Sequence, residues 1–289
     1  MNSNWELNHV GIVVKKKNKI LHYLQGLGIG VSVGPQPLLP HLEGTTTVMM
    51  YRTLDGDPVS HSSSKRGAHT FFDAETQVGT CQLECIQPSP GNLIHAYLEA
   101  KGEGINHLCF NVPDPQVETD KLVAKGCDLV FSATNGDYII ENYLDTRKFG
   151  DIIISFRPMA GEWEKAWMAN NMEHPMVNKW NFRGVGVTVK DLDKTVAYYE
   201  SLGFPEVQSE VVVDSSETPD YRVNGEKPDT ATRFKSRRVQ VGPLQYEFVQ
   251  PLEGNTIHTE CLEKRGEGIS NLAFTVGLRW REGKDSSHG

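Results

Sequence analysis

What this chain of 289 residues lacks narrows its class before any motif is read. No stretch approaches the roughly 20 consecutive apolar residues of a membrane helix. The opening, from Met1 to Glu6, has neither the charged start nor the apolar run of a signal peptide. Cations are in the minority, with 29 Lys and Arg against 37 Asp and Glu. The resulting net charge of −8 argues against nucleic-acid binding, which needs clustered Lys and Arg. The one basic run, Lys15 to Lys17 with Lys19, falls at a predicted helix start and reads as a solvated face. Cysteine is scarce too: five residues, an odd number with no Cys-x-x-Cys pair. That suits a reducing cytoplasm rather than a disulfide framework. Cys81, Cys85, Cys109 and Cys127 sit in strand-like text and read as small core residues.

What is there is a repeat. Lys101-Gly-Glu-Gly-Ile-Asn-His-Leu-Cys-Phe-Asn-Val112 has a near copy in Arg265-Gly-Glu-Gly-Ile-Ser-Asn-Leu-Ala-Phe-Thr-Val276. His107 of the first copy is Asn271 of the second. With 38% hydrophobic residues the chain has enough apolar matter for one large core or two medium ones. The repeat favours two related modules, only the first of them chemically equipped.

The pattern along the chain alternates strands and helices. Leu7 to Val14 reads as a strand, rich in β-branched residues, with His9 and Gly11 on one face. A helix follows, with Ile20, Leu21, Leu24 and Leu27 at helical spacing. Thr45 to Tyr51 and Gly79 to Ile86 read as strands, the span from Asp55 to Gly67 as a polar loop, and Asn92 to Lys101 as a short helix. The script then restarts: a strand from Ile105, a helix opened by Asp114-Pro115, and strands over 128–132, 138–144 and 152–156. This gives two βαβββ units closing near Pro158. Residues 159–180 read as a helical or irregular linker.

From Asn181 the same script runs once more. Gly184 to Val189 matches His9 to Val14, and the helix from Asp191 ends at Gly203. Leu244 to Val249 matches the strand around Glu84. After Asn271 the text does not resemble the strands that follow His107, so residues 181–289 are expected to form an incomplete copy. An alternative transcript, a shifted reading frame or a shortened chain would each explain this. Strand edges left unpaired would be exposed unless another chain covers them, which leaves a homodimer open.

Three side chains in the first module suit a divalent cation: His9, Glu84 and His107, one on each of three strands. Neutral imidazole and carboxylate bind Zn, Fe, Co, Ni or Mn. Their separation in sequence makes no short ligand motif, so each histidine taken alone reads first as a hydrogen-bonded core residue. In the second module Gly184 and Asn271 stand at the histidine positions and only Glu247 is retained.

The opening strand His9-Val-Gly-Ile-Val-Val, the strand with Glu84 and the Gly-Ile-Asn-His107-Leu-Cys-Phe strand resemble the vicinal oxygen chelate superfamily. That superfamily includes glyoxalase I, methylmalonyl-CoA epimerase, extradiol dioxygenases and drug-resistance proteins. The likeness covers residues 5–158 and most of 181–276, and is greatest to methylmalonyl-CoA epimerases. It implies an α+β fold of tandem βαβββ modules, with the second module truncated and degenerate. It places His9, Glu84 and His107 on the first three metal-ligand positions. The family's fourth ligand, a glutamate on the last strand, meets Ser155 here, or Ile154 with a shift of one residue. Glu43 falls near the family's proton-shuttling glutamate and is the expected catalytic carboxylate.

The function the resemblance implies is proton transfer alpha to a carbonyl, through an enolate stabilised by a divalent metal. Its partner would be a small-molecule substrate. An extradiol-type dioxygenase is the competing expectation, because two histidines and a carboxylate also serve non-haem Fe(II) oxygenases. Ser155 in the glutamate position favours a third, a protein that sequesters a small molecule in the same cavity.

Overall fold

A computed structural model describes residues 4–33, 46–51, 54, 60–64, 71–161, 165, 179–222 and 225–276. The architecture is α+β, with strands gathered into one ten-stranded and one five-stranded sheet. The first sheet takes β1 (Glu6–Val13), β2 (Val31–Val33), β3 (Thr46–Met50), β4 (Ser60–Ser64), β5 (Phe71–Val78), β6 (Cys81–Pro88), β7 (Gly104–Val112), β8 (Leu129–Asn135), β9 (Tyr138–Asp145) and β10 (Ile153–Pro158). Their order is β2-β5-β6-β1-β7-β10-β9-β8-β3-β4. Helices α1 (Lys17–Gly26), α2 (Leu93–Lys101) and α3 (Pro115–Val123) connect them. Asp114 caps α3 as its sequence predicts, accepting from the N–H groups of Gln116 and Val117 with Pro115 in the first turn.

The two βαβββ units meet at the centre, where β1 and β7 run antiparallel, each flanked on its other side by a parallel partner, β6 and β10. Two expectations are corrected here. Thr46–Met50 is a strand, but it joins the far edge by pairing with β8 instead of extending the first unit's half-sheet. The polar span read as a loop contains β4, which pairs with β3. A serine-rich run carries little β propensity, so only its partner strand reveals it.

The second module repeats the first half of this plan. Strands β11 (Asn181–Thr188), β12 (Glu206–Asp214), β13 (Arg233–Val241), β14 (Leu244–Glu253) and β15 (Gly268–Thr275) form a sheet in the order β12-β13-β14-β11-β15. Helices α4 (Leu192–Ser201) and α5 (Ile257–Arg265) complete it. The N-cap Asp191 and Gly203 at φ 94° stand where the sequence predicts them. Among the described residues β15 has no strand on its outer side.

Strand alternation sorts the first sheet into two faces. Val10, Leu83, Leu108, Phe110, Ile154 and Phe156 are buried in one apolar cluster with Val187, Tyr199, Phe204 and Phe248 of the second module. The opposite face carries the polar residues described below. The repeated Gly-Glu-Gly stretches serve the fold directly. Glu103 accepts from the backbone N–H of Lys15 at 2.7 Å, and Glu267 from that of Lys190 at 2.7 Å. Each carboxylate thereby ties down the turn that leaves the neighbouring strand.

The modules also clasp each other reciprocally. Trp5, just before β1, packs on Gly242 in the β13–β14 turn, and Trp180, just before β11, packs on Gly79 in the β5–β6 turn. Thr80 N–H donates to the Trp180 carbonyl at 2.9 Å, and Phe182 N–H to Thr80 Oγ1 at 2.8 Å. Trp5 lies against Phe110, Phe156 and Phe204, with ring centroids 5.3, 4.8 and 6.0 Å away.

Gly79 has φ 58°, and a Cβ there would stand 2.2 Å from the Trp180 carbonyl oxygen. Gly91 has φ 85° with nothing within 4 Å of a Cβ. Gly79→Ala is therefore expected to cost clearly more than the roughly 1–2 kcal/mol backbone penalty that Gly91→Ala incurs alone. Thermal melts of the two variants measure the difference, and equal losses would show that the Trp180 contact adds nothing.

Candidate metal centre

The first two ligand candidates come from matching irregularities in the central strand pair. Between Leu7↔Phe110 and His9↔Cys109, β1 carries one extra residue, Asn8; between Gly11↔His107 and Ile12↔Ile105, β7 carries one extra residue, Asn106. Such bulges re-aim side chains beside functional sites. Here each brings an asparagine alongside the following histidine. His9 Nδ1 donates to Asn8 Oδ1 at 2.7 Å, and His107 Nδ1 to Asn106 Oδ1 at 2.8 Å. The Asn8 amide is itself oriented, since its Nδ2 donates to Asn111 Oδ1 at 3.0 Å. An amide oxygen only accepts, so both rings carry a hydrogen on Nδ1 and direct Nε2 inward.

Those two Nε2 atoms lie 3.0 Å apart. Glu84, from β6, brings Oε2 to 3.2 Å from His9 Nε2 and 3.7 Å from His107 Nε2. His9, Glu84 and His107, far apart in sequence, thus meet with their ligand atoms within one cation's reach. Gly11 makes room for this: a Cβ there would stand 1.8 Å from His107 Cε1. All three side chains are buried, and Glu84 Oε2 faces the two imidazole nitrogens.

Two residues unread in the sequence join them. Glu141, on β9, brings Oε1 to 3.9 Å from His9 Nε2, and that oxygen also lacks a partner. Tyr143, two positions on, places its hydroxyl 3.3 Å from His107 Nε2 and its ring 4.6 Å from those of His107 and Phe131. Glu75 lies opposite Glu84 in the β5–β6 register and accepts from Gln82 Nε2. The fourth family position falls on Ser155: Cys109↔Ser155 repeats the relation Gly11↔Glu84. Its hydroxyl is buried without a partner. The shifted alternative, Ile154, belongs to the apolar cluster between the modules. Glu43 lies outside the described residues.

The electrostatics show what the cluster needs. Burial opposes a charge on His9, but the charge and hydrogen bond of Glu84, with Glu141 behind it, raise its pKa above the ordinary value. Burial and then the charge on His9 push His107 down to about 3. Burial would raise Glu84, yet His9, His107 and Arg157 hold its carboxyl at about 2. Glu75 moves the other way, pushed up to about 8 by burial and by the charge on Glu84. Two inward lone pairs and an ionised carboxylate thus attract one cation, and a single proton on His9 only partly answers them. The donor set fits a divalent metal, whose cis ligands stand about 3 Å apart at bond lengths of about 2.1 Å.

The second module keeps the bulges and loses the donors. Arg183 and Ser270 are its extra residues, and Gly184 and Asn271 occupy the histidine positions. Glu247, the counterpart of Glu84, accepts from Ser236 Oγ at 3.2 Å and pairs with Arg238 at 3.3 Å. A Cβ on Gly184 would stand 1.9 Å from the Gln245 carbonyl oxygen, so β14 runs too close for any side chain there.

Comparisons with known proteins agree with this plan. Residues 8–139 match the model of the Glyoxalase/Bleomycin resistance protein/Dioxygenase superfamily. No curated protein matches the sequence. A triple mutant of 4-hydroxymandelate synthase from Streptomyces coelicolor shares the fold at TM-score 0.62 and 16% identity, over 96% of this chain and 72% of that one. A xylose isomerase-like TIM barrel/4-hydroxyphenylpyruvate dioxygenase fusion protein does so at TM-score 0.52 and 13% identity, over 95% of this chain and 36% of that one. Methylmalonyl-CoA epimerase from Mycobacterium tuberculosis aligns at 16% identity and TM-score 0.36, over 55% of this chain and 91% of that one. At such identities the likeness speaks for the fold.

The low value of His107 has a consequence for the metal-free protein. The unfolded ring titrates near 6.5 and the folded ring near 3, so the unfolded chain binds the proton first. Stability is then lost as pH falls from 6.5 toward 3. The raised His9 acts above 6.5 and the lowered Glu84 only below 4.5, while Glu75 acts alike in both proteins compared. His107→Asn, the residue found at 271, is expected to flatten this acid limb in chelator-treated protein. Melting curves at pH 6.5, 5.5 and 4.5 check it, and parallel losses in both proteins would contradict it.

Proposed function

Because residues 8–139 match the model of the Glyoxalase/Bleomycin resistance protein/Dioxygenase superfamily, we propose that the first module is a divalent-metal enzyme that moves a proton alpha to a carbonyl. The observation that carries this is the meeting of His9 Nε2, His107 Nε2 and Glu84 Oε2 with both Nδ1–H groups engaged elsewhere. A divalent cation bound there supplies Lewis-acid stabilisation of charge developing on a substrate oxygen.

The remaining work falls to the chain's own side chains. Asn8 and Asn106 hold the imidazoles in register, and Gly11 keeps the space that the His107 ring occupies. Glu84 contributes a permanent negative charge. Glu75 has the character of a general acid–base group: buried, beside Glu84, and poised at about 8, so that both its ionised and its protonated forms are accessible near neutral pH. It is assigned the proton at the alpha carbon, with Glu43 retained as the carboxylate that the resemblance implies. Tyr143 links the cluster to the apolar residues Phe131, Ile86 and Ile153, which keep water from that side. The substrate is a small molecule with a carbonyl flanked by an acidic C–H, and methylmalonyl-CoA is the first to test.

Oxygen chemistry is the second reading, favoured by the donor types: two histidines and one carboxylate also serve Fe(II) oxygenases. One of the structural neighbours includes a 4-hydroxyphenylpyruvate dioxygenase.

Purified protein is expected to bind one divalent ion per chain and to lose it in His9→Ala. Deuterium from solvent should enter methylmalonyl-CoA with the wild type. It should do so about 100-fold or more slowly with Glu75→Gln, whose metal content stays unchanged. Wild type that takes up no metal would sink the proposal. Iron loading with oxygen uptake on 4-hydroxyphenylpyruvate or catechols would transfer it to the second reading.

A further inference from the structure

The position expected to supply a fourth donor, Ser155 on β10, holds a short hydroxyl where a carboxylate would be needed. Its Oγ is fully buried and makes no hydrogen bond. The next strand, β9, fills the same space from the side. Glu141 Oε1 reaches to 3.9 Å from His9 Nε2, is buried, and has no hydrogen-bond partner. His9 Nε2, Cys109 Sγ and a Glu141 oxygen all lie within 4.8 Å of one another, so His9 is shared by two overlapping donor groups. A carboxylate sunk beside a metal-binding nitrogen is costly unless a positive charge joins it. The Cys109 thiol beside it has its pKa raised by burial and brings no such charge, and Arg157 acts on Glu141 through space, without a hydrogen bond to its Oε1.

We propose that Glu141 is the fourth protein donor, the carboxylate having moved one strand from β10 to β9, so that the cation is held by two histidines and two glutamates. This rests on the metal reading above and extends it to a residue that neither the sequence pattern nor the superfamily position assigns. The two carboxylates balance a divalent ion's charge, whereas His9, Glu84 and His107 alone leave one positive charge buried. Ser155 is then the small residue that leaves room for Glu141. Returning a carboxylate to position 155 should restore what removing it from 141 takes away.

The test uses the full chain loaded with Zn(II) and, separately, with Co(II) as a spectroscopic probe. Zn(II) affinity comes from chelator competition, and the donor set from the Co(II) visible absorption. Glu141→Gln, which keeps the shape and loses the charge, should weaken Zn(II) by at least about 10- to 100-fold and change the Co(II) bands. Glu141→Ala with Ser155→Glu should recover most of that affinity. Should Glu141→Gln not fold, Glu141→Asp takes its place, with a shortened carboxylate expected to give a smaller loss and a shifted spectrum. Unchanged affinity and spectrum in the Glu141 variants, with metal abolished in His107→Ala, would overturn this inference and leave the metal reading standing. A wild type that binds neither ion would overturn both.

Discussion

Three electron-pair donors crowd one point in the first module, with a single proton, on His9, to share among them. The two Nε2 atoms stand 3.0 Å apart, while both rings give their Nδ1 hydrogens to asparagine oxygens. Glu84 adds a negative charge to the same spot. Such an arrangement is repulsive in isolation and persists only because the surrounding sheet fixes each participant. The central strand pair provides that rigidity. The paired bulges deliver Asn8 and Asn106, Gly11 gives space, and the apolar face on the other side locks the strands against the second module.

Much of this was legible in the sequence, and the residues themselves show why. His9, Glu84 and His107 stand in β-rich runs whose alternation fixes their face, so their convergence followed once the superfamily's strand order was recognised. Asp114-Pro115 and Asp191 announced helix starts that the structure keeps. Glu141 and Tyr143 were not legible, because they enter from a strand to which the resemblance assigns no ligand; only the two-stranded step from Cys109 through Ser155 to β9 reveals them. The bulge asparagines left a faint trace, the dipeptide Asn-His at both 8–9 and 106–107, which gains meaning only beside the register. Strand β3 was legible but its place was not, because its partner β8 lies far onward in sequence and no local pattern reports so distant a neighbour; β4 escaped because its serine-rich run has little β propensity.

The second module shows how little of such a site a fold must keep. Its strands, bulges and Gly186 retain their places, while the carboxylate of Glu247 has been taken over by Arg238 and Ser236. A guanidinium there satisfies the charge that a metal would otherwise answer. The second module still matters to the first, since the exchanged tryptophans join the turn of each module to the leading strand of the other.

The contact at Gly184 carries this further. With the Gln245 carbonyl pressed to within 1.9 Å of where a side-chain carbon would begin, the two strands have closed over the vacated place. Replacing one residue there cannot reinstate an imidazole; the backbone would first have to part. Loss at that position therefore works as a ratchet: once the gap has sealed, chance substitution can drift the module toward new uses but finds no single step back to the old one.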